Sequence, residues 1–119
     1  MDIATAERAL ARQVALLSGL ELDRTVRRGG GDPPDAAPLV TVRFVSGSVE
    51  NANLTEFVAE VRGVFAEPDG AGDFAAAVWG GLPRYGTAGF TELAAEGEIE
   101  FAVHDGFFTT AGRIRACFA

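Results

Sequence analysis

Apolar residues recur along this chain with two different periods, and the switches between them divide it into elements. Ile3, Ala6, Leu10, Val14 and Leu17 return at helical spacing, with Glu7, Arg8 and Arg12 on the wet side, which predicts a helix over 3–18. Gly19 supplies the stop, because glycine enters the left-handed conformation that closes helices without a Cβ clash. From residue 39 the period becomes two. Val40, Val42 and Phe44 alternate with Thr41 and Arg43, and Phe57, Ala59, Val61 and Phe65 alternate with Glu60 and Arg62. Both runs read as strands with one apolar face, and the polar stretch 47–53 between them predicts a turn and an antiparallel pair.

Pro68-Asp69-Gly70 predicts a turn, and Asp73 a side-chain cap for a second helix over 74–82. Phe74, Val78 and Leu82 form its apolar stripe with Trp79 at the edge, and Gly80, Gly81 and Pro83 bring it to an end. Residues 84–96 hold neither period, so Tyr85, Phe90 and Leu93 are expected to pack beneath a loop. Beyond them Ile99, Phe101 and Val103 alternate with Glu98, Glu100 and His104. Asp105-Gly106 is a strong hairpin turn signal, and Ile114, Ala116 and Phe118 mark a return strand whose even-numbered residues share a face with the odd-numbered ones opposite. The prediction is an α+β fold in the order α-β-β-α-β-β. Strands over 39–45, 57–66, 98–104 and 113–118 form one mostly antiparallel four-stranded sheet with two helices on one face. Val42, Phe44, Val61, Phe65, Ile99, Phe101 and Ile114 are expected to line its buried face.

Between the first helix and the first strand, residues 23–38 read DRTVRRGGGDPPDAAP. Glycine, proline and mixed charge cannot sustain a helix or a central strand, so this segment is expected to be a long flexible loop. Arg27 and Arg28 form its basic point.

Composition narrows the classes of function. The 119 residues suit one domain over 1–119, and a 48% hydrophobic fraction is enough for a core without metal or disulfide staples. Cys117 is alone, which excludes an intrachain disulfide and leaves a reducing cytoplasm as the expected setting. A net charge of −7 argues against sequence-specific nucleic acid binding, which needs a clustered positive field. No apolar run approaches the ~20 residues of a membrane span, and the amphipathic N-terminus does not read as a signal peptide. All ten basic residues are arginine, a pattern that with abundant Ala and Gly reflects coding bias.

Candidate chemistry is sparse. Gly70-Ala71-Gly72-Asp73-Phe74-Ala75 matches the dinucleotide-binding pattern G-x-G-x-x-A. Acidic Asp69 and Asp73 flank it where a pyrophosphate would dock, and the alternating strands differ from the continuous apolar runs of parallel sheets. His104 and Cys117 cannot supply a zinc site alone. His104 beside Asp105 could form a general base, and Glu98 with Glu100 a carboxylate pair, but Arg113 and Arg115 on the return strand predict simple cross-strand charge pairing for those glutamates. Cys117 has no evident base partner. The expectation is therefore no catalytic residue, no cofactor and no metal. Arginine is enriched at interface hot spots because its planar fork pairs with carboxylates and stacks on aromatics. On that ground Arg27, Arg28, Arg43 and Arg62 are the candidate interface residues.

The segments AERALARQVALL, APLVTVRFVSG, TEFVAEVRGVFAE, DFAAAVWGGL and GEIEFAVHDGFF…GRIRACF follow an order that resembles the tail-terminator, or minor capsid, proteins of long-tailed phages. The resemblance covers most of the chain and lies in pattern rather than in particular residues. It implies a non-enzymatic protein that caps the tail tube as a ring of its own copies and joins tail to head. Its partners would then be itself, tail-tube proteins and head-connector proteins, first in the host cytoplasm and then in the virion tail. A small cytosolic protein-binding adaptor and a small α+β enzyme using His104 are the rival readings.

Overall fold

The first helix forms where its stripe places it. Helix α1 spans Ile3–Ser18 and buries Ala6, Leu10 and Val14 completely. The Asp2 carboxylate accepts the Thr5 N–H at 2.7 Å, a side-chain cap for a helix end that otherwise leaves amides unpaired. Gly19 closes the other end at φ 74°, with its N–H on the Ala15 carbonyl. These contacts are seen in a computed structural model, which describes residues 2–29, 37–82 and 90–118.

The sheet is larger than the alternation predicts. Among the described residues it has five strands in the order β1-β2-β3-β5-β4, one pair parallel and the rest antiparallel. The added member is β1, Val26–Arg28, inside the segment expected to be a loop. It runs parallel to β2, Leu39–Glu50, with Val26 opposite Val40. Residues 30–36 of that segment lie outside the described residues. What holds so short a strand is Val26, which is fully buried; removing a valine side chain from water is worth about 2 kcal/mol. The Val40 N–H bonds the Thr25 carbonyl and the Gly29 N–H the Val42 carbonyl, completing the edge.

β2 continues into the expected turn region 47–53 as far as Glu50 and meets β3, Asn53–Phe65, through a two-residue turn within it. Asn51 and Ala52 both take positive φ, the geometry whose twist matches that of the flanking strands. The second hairpin is built alike. β4, Phe90–His104, turns through Asp105 and Gly106 at positive φ into β5, Phe107–Phe118. Both strands are longer than predicted. Phe90 and Leu93, expected beneath a loop, are strand residues with buried side chains, while Tyr85 lies outside the described residues. The two hairpin turns point to opposite ends of the sheet, because β3 and β5 pair antiparallel with Phe65 opposite Phe108 and Glu56 opposite Cys117.

Helix α2 spans Pro68–Gly81, earlier than predicted. The expected turn Pro68-Asp69-Gly70 is its first turn, with Pro68 in the position where a missing N–H costs nothing, and Asp73 is an interior residue and not the cap. Trp79 lies over β5 at Gly112, where a Cβ would come within 2.5 Å of the indole. Its Nε1–H donates to the Arg113 carbonyl at 3.3 Å, and the buried Thr110 hydroxyl donates to the Ala71 carbonyl at 3.0 Å. Four rings tie the strands together on the helix side. Phe44, Phe57, Phe118 and Phe90, one from each long strand, stack at 5.9, 5.6 and 5.1 Å.

Of the seven residues expected on the buried face, Val42, Val61, Phe65 and Ile114 are buried, and Phe44 and Ile99 pack partly buried against the core. Phe101 is the exception. It occupies the expected face, opposite the buried Thr110, yet is 59% exposed, and Val103 beyond it is 67% exposed. Alternation assigns a face, but burial needs something on top, and β4 is the edge strand.

Candidate functional site

The four arginines singled out from the sequence divide between the two faces of the sheet. Thr41 pairs with Arg27 on one side and Arg62 on the other, so these two arginines and Thr41 form a row across β1, β2 and β3 on the face away from the helices. Arg43 follows two residues along β2 on the same face, and its guanidinium lies 3.7 Å from Glu60 on β3. Arg27, Arg43 and Arg62 are exposed. Among the described residues, neither Arg27 nor Arg62 has a carboxylate within ion-pair distance, and Arg27 Nε donates to the Arg24 carbonyl.

Arg28 turns the other way, to the edge of the helix side. It lies 3.8 Å from Glu7 of α1, and the Glu7 carboxylate also accepts the Phe44 N–H at 2.8 Å. Glu7 therefore occupies an amide on the edge of β2 just past the end of β1. The helical period places it on the wet side, since no periodicity distinguishes a solvated carboxylate from one that reaches a strand edge.

The opposite edge is acidic. Glu92, Glu96, Glu98 and Glu100 all lie on β4. Glu96, Glu98 and Glu100, with Glu60 and a single Arg113, line a shallow cavity of about 350 Å³. The pairing expected between Glu98, Glu100 and the two arginines of β5 does not form. Arg115 instead reaches Glu92 at 3.5 Å and Glu56 and Glu96 at 3.9 Å, because it stands opposite Ala94, between Glu92 and Glu96, while Glu100 stands opposite Ala111 and Glu98 falls in the register shift between Glu96 and Glu100. Among the described residues Glu98 and Glu100 have no ion-pair partner.

The other candidate groups lie apart. His104 and Asp105 meet at 3.3 Å at the hairpin tip with side chains 64% and 81% exposed, far from the even partial enclosure that tunes a general base. Cys117 sits opposite both Glu56 and Glu92 on the open face. Partial burial, then the charges of Glu56 and Glu92, push its thiol pKa up, which holds it in the protonated, weakly nucleophilic form. The glycines of the G-x-G-x-x-A pattern lie inside α2, so they form a helix turn and not a phosphate-cradling loop. Among the described residues, no three His, Cys, Asp or Glu side chains are placed to hold a metal ion, and no helix is long and apolar enough to cross a membrane. No protein-family model and no curated protein matches this chain.

Proposed function

We propose that the protein is a non-enzymatic structural component of the tail-terminator kind, which forms a ring on the end of a phage tail tube and joins tail to head. The observation that supports this reading most is the convergence of Arg27, Arg43 and Arg62 on one open sheet face, contributed by three different strands. A row of exposed guanidinium groups on a pleated surface suits the broad contact of a subunit interface. The element order keeps the helix, strand pair, helix and closing hairpin of that family's pattern, with the short parallel β1 added between α1 and the strand pair. In this reading no side chain is catalytic and no cofactor or metal is required. The partners are further copies of the chain, tail-tube proteins and head-connector proteins.

Particle production without the protein provides the test. Electron microscopy is expected to show tails of irregular length that carry no heads, restored by supplying the chain in trans. Uniform, head-joined tails in its absence would remove it from tail assembly.

A further inference from the structure

The closing hairpin leaves a stretch of edge backbone without a ladder partner and with its apolar side chains in water. Residues 100–106 are exposed at every position, and among the described residues no strand pairs with the outer side of β4. The two-residue turn sets which backbone groups face that side. His104 pairs with Phe107 across it, and the Ala102 carbonyl faces β5, where it accepts the Thr109 hydroxyl at 3.2 Å. Inward and outward residues alternate along an antiparallel strand, so the N–H and C=O groups of Phe101 and Val103 point outward. Their side chains, more than half exposed, lie on the helix side of the sheet, while Glu100, Ala102 and His104 belong to the open face. The segment is therefore symmetric in character about Ala102. Apolar residues stand one step away on either side, and a carboxylate and an imidazole stand two steps away. Exposed edges with apolar side chains are templates for pairing unless covered.

We infer that β4 of one copy pairs antiparallel with β4 of a second copy about a two-fold axis at Ala102, joining the two sheets edge to edge. A second copy is the occupant because the pattern complements itself. Phe101 faces the partner's Val103, and each such pair exchanges its outward N–H and C=O groups. Both apolar side chains lose water on the helix side, as cross-strand neighbours do within a sheet. On the open face Glu100 stands opposite the partner's His104, a carboxylate against an imidazole. An axis at Glu100 would instead set two carboxylates face to face, which the charge disfavours. With the axis at Ala102 the two copies of Glu100 lie four residues apart along the strands, roughly 13 Å, beyond the screening length of about 8 Å at physiological salt. The contact is isologous and closes at two copies, so it goes beyond the ring reading, which needs a further surface.

Cysteine cross-linking of the full chain tests the pairing, on a Cys117→Ser background so that the native thiol takes no part. Opposed residues on the axis would have Cα atoms about 4.5 Å apart, inside the range that a disulfide spans. Under mild oxidation Ala102→Cys is expected to give a cross-linked dimer at least about tenfold faster than Glu100→Cys or His104→Cys alone. Mixed one to one, Glu100→Cys and His104→Cys should cross-link to each other as readily as Ala102→Cys does to itself. Val103→Pro removes an outward N–H and leaves the ladder to β5 intact. Light scattering should then show association at least about tenfold weaker than in the original chain, with thermal unfolding little changed. Equal rates for all three single cysteines would mark random collision and overturn the pairing. So would an original chain that stays monomeric up to about 1 mM. An assembly of three or more copies without selective cross-linking at position 102 would overturn this contact while leaving the ring reading standing. Selective cross-linking there in a chain that stops at a dimer would uphold the contact and overturn the ring.

Discussion

The two edges of this sheet solve the same problem in opposite ways. Every edge strand presents backbone groups with no ladder partner. At the β1–β2 edge the groups are covered over the first half of β2: a three-residue strand is added in parallel, and where it ends the Glu7 carboxylate takes the Phe44 N–H. At the β4 edge no described residue pairs with the backbone, and the strand is guarded by four glutamates and a register shift. One edge is closed by specific hydrogen bonds and a buried valine, the other only by charge. Charge repels indiscriminately at a distance but yields to a matching surface, whereas an occupied amide yields to nothing. The closed edge is therefore part of the fold, and the acidic edge is available to a partner.

Substitutions that probe this difference should have very unequal effects. The largest is expected for Val26→Asp, which puts a carboxylate into the fully buried anchor of β1. A loss of about 4 kcal/mol or more in denaturant unfolding is expected. Glu7→Ala should come next. It leaves the Phe44 N–H without its acceptor and Arg28 without its ion partner, at a cost of about 1–3 kcal/mol, with faster amide exchange at Phe44. On the acidic edge, Phe101→Asp alters a side chain already 59% in water and should shift stability by no more than about 0.5 kcal/mol. A comparable loss at Phe101 and at Glu7 would erase the distinction between the edges. The smallest effect concerns pH. Hydrogen bonding to the Thr5 side chain and amide holds the Asp2 carboxyl below its ordinary value of 3.8. A depressed folded pKa means stability that is fully present above the ordinary value and lost as pH falls below it through the lower folded one. Amide exchange in the first turn of α1 should rise below pH 3.8, and Asp2→Asn should abolish that rise.

The sequence was legible wherever one residue pattern had one structural outcome. α1 carries a full stripe and a stop at Gly19, and its bounds match the prediction, while its Asp2 cap became visible only in the structure. The long strands were found by alternation, and the Asp105-Gly106 turn by its residue types. β1 escaped because three residues are too few to show a period and its one buried side chain stands among arginines and glycines. The first half of β4 escaped because Leu93-Ala94-Ala95 reads as neither period, although Leu93 is buried and Ala95 is exposed on the same face. Phe101 shows the limit of alternation itself, which knows faces but not what lies over them. For the site, Arg27, Arg43 and Arg62 were nameable from their type, but their assembly into one surface depends on the parallel register of β1. The same register sends Arg28 to the other side.

The seam between β3 and β5 has a kinetic consequence. Each hairpin closes through its own two-residue turn, a local event on the microsecond scale. The seam joins residues far apart in the chain, Phe65 with Phe108 and Glu56 with Cys117, and the intervening segment must first fold back over the sheet as α2. Loop-closure entropy is lost there before any contact compensates it, so this one joint dominates the contact order and sets the pace of folding. The only tryptophan stands at that joint, its indole bonded to the Arg113 carbonyl and lying over Gly112. Its fluorescence thus follows the slow step directly, while circular dichroism follows the faster hairpins and helices, and a lag between the two signals measures how long the halves exist before they meet.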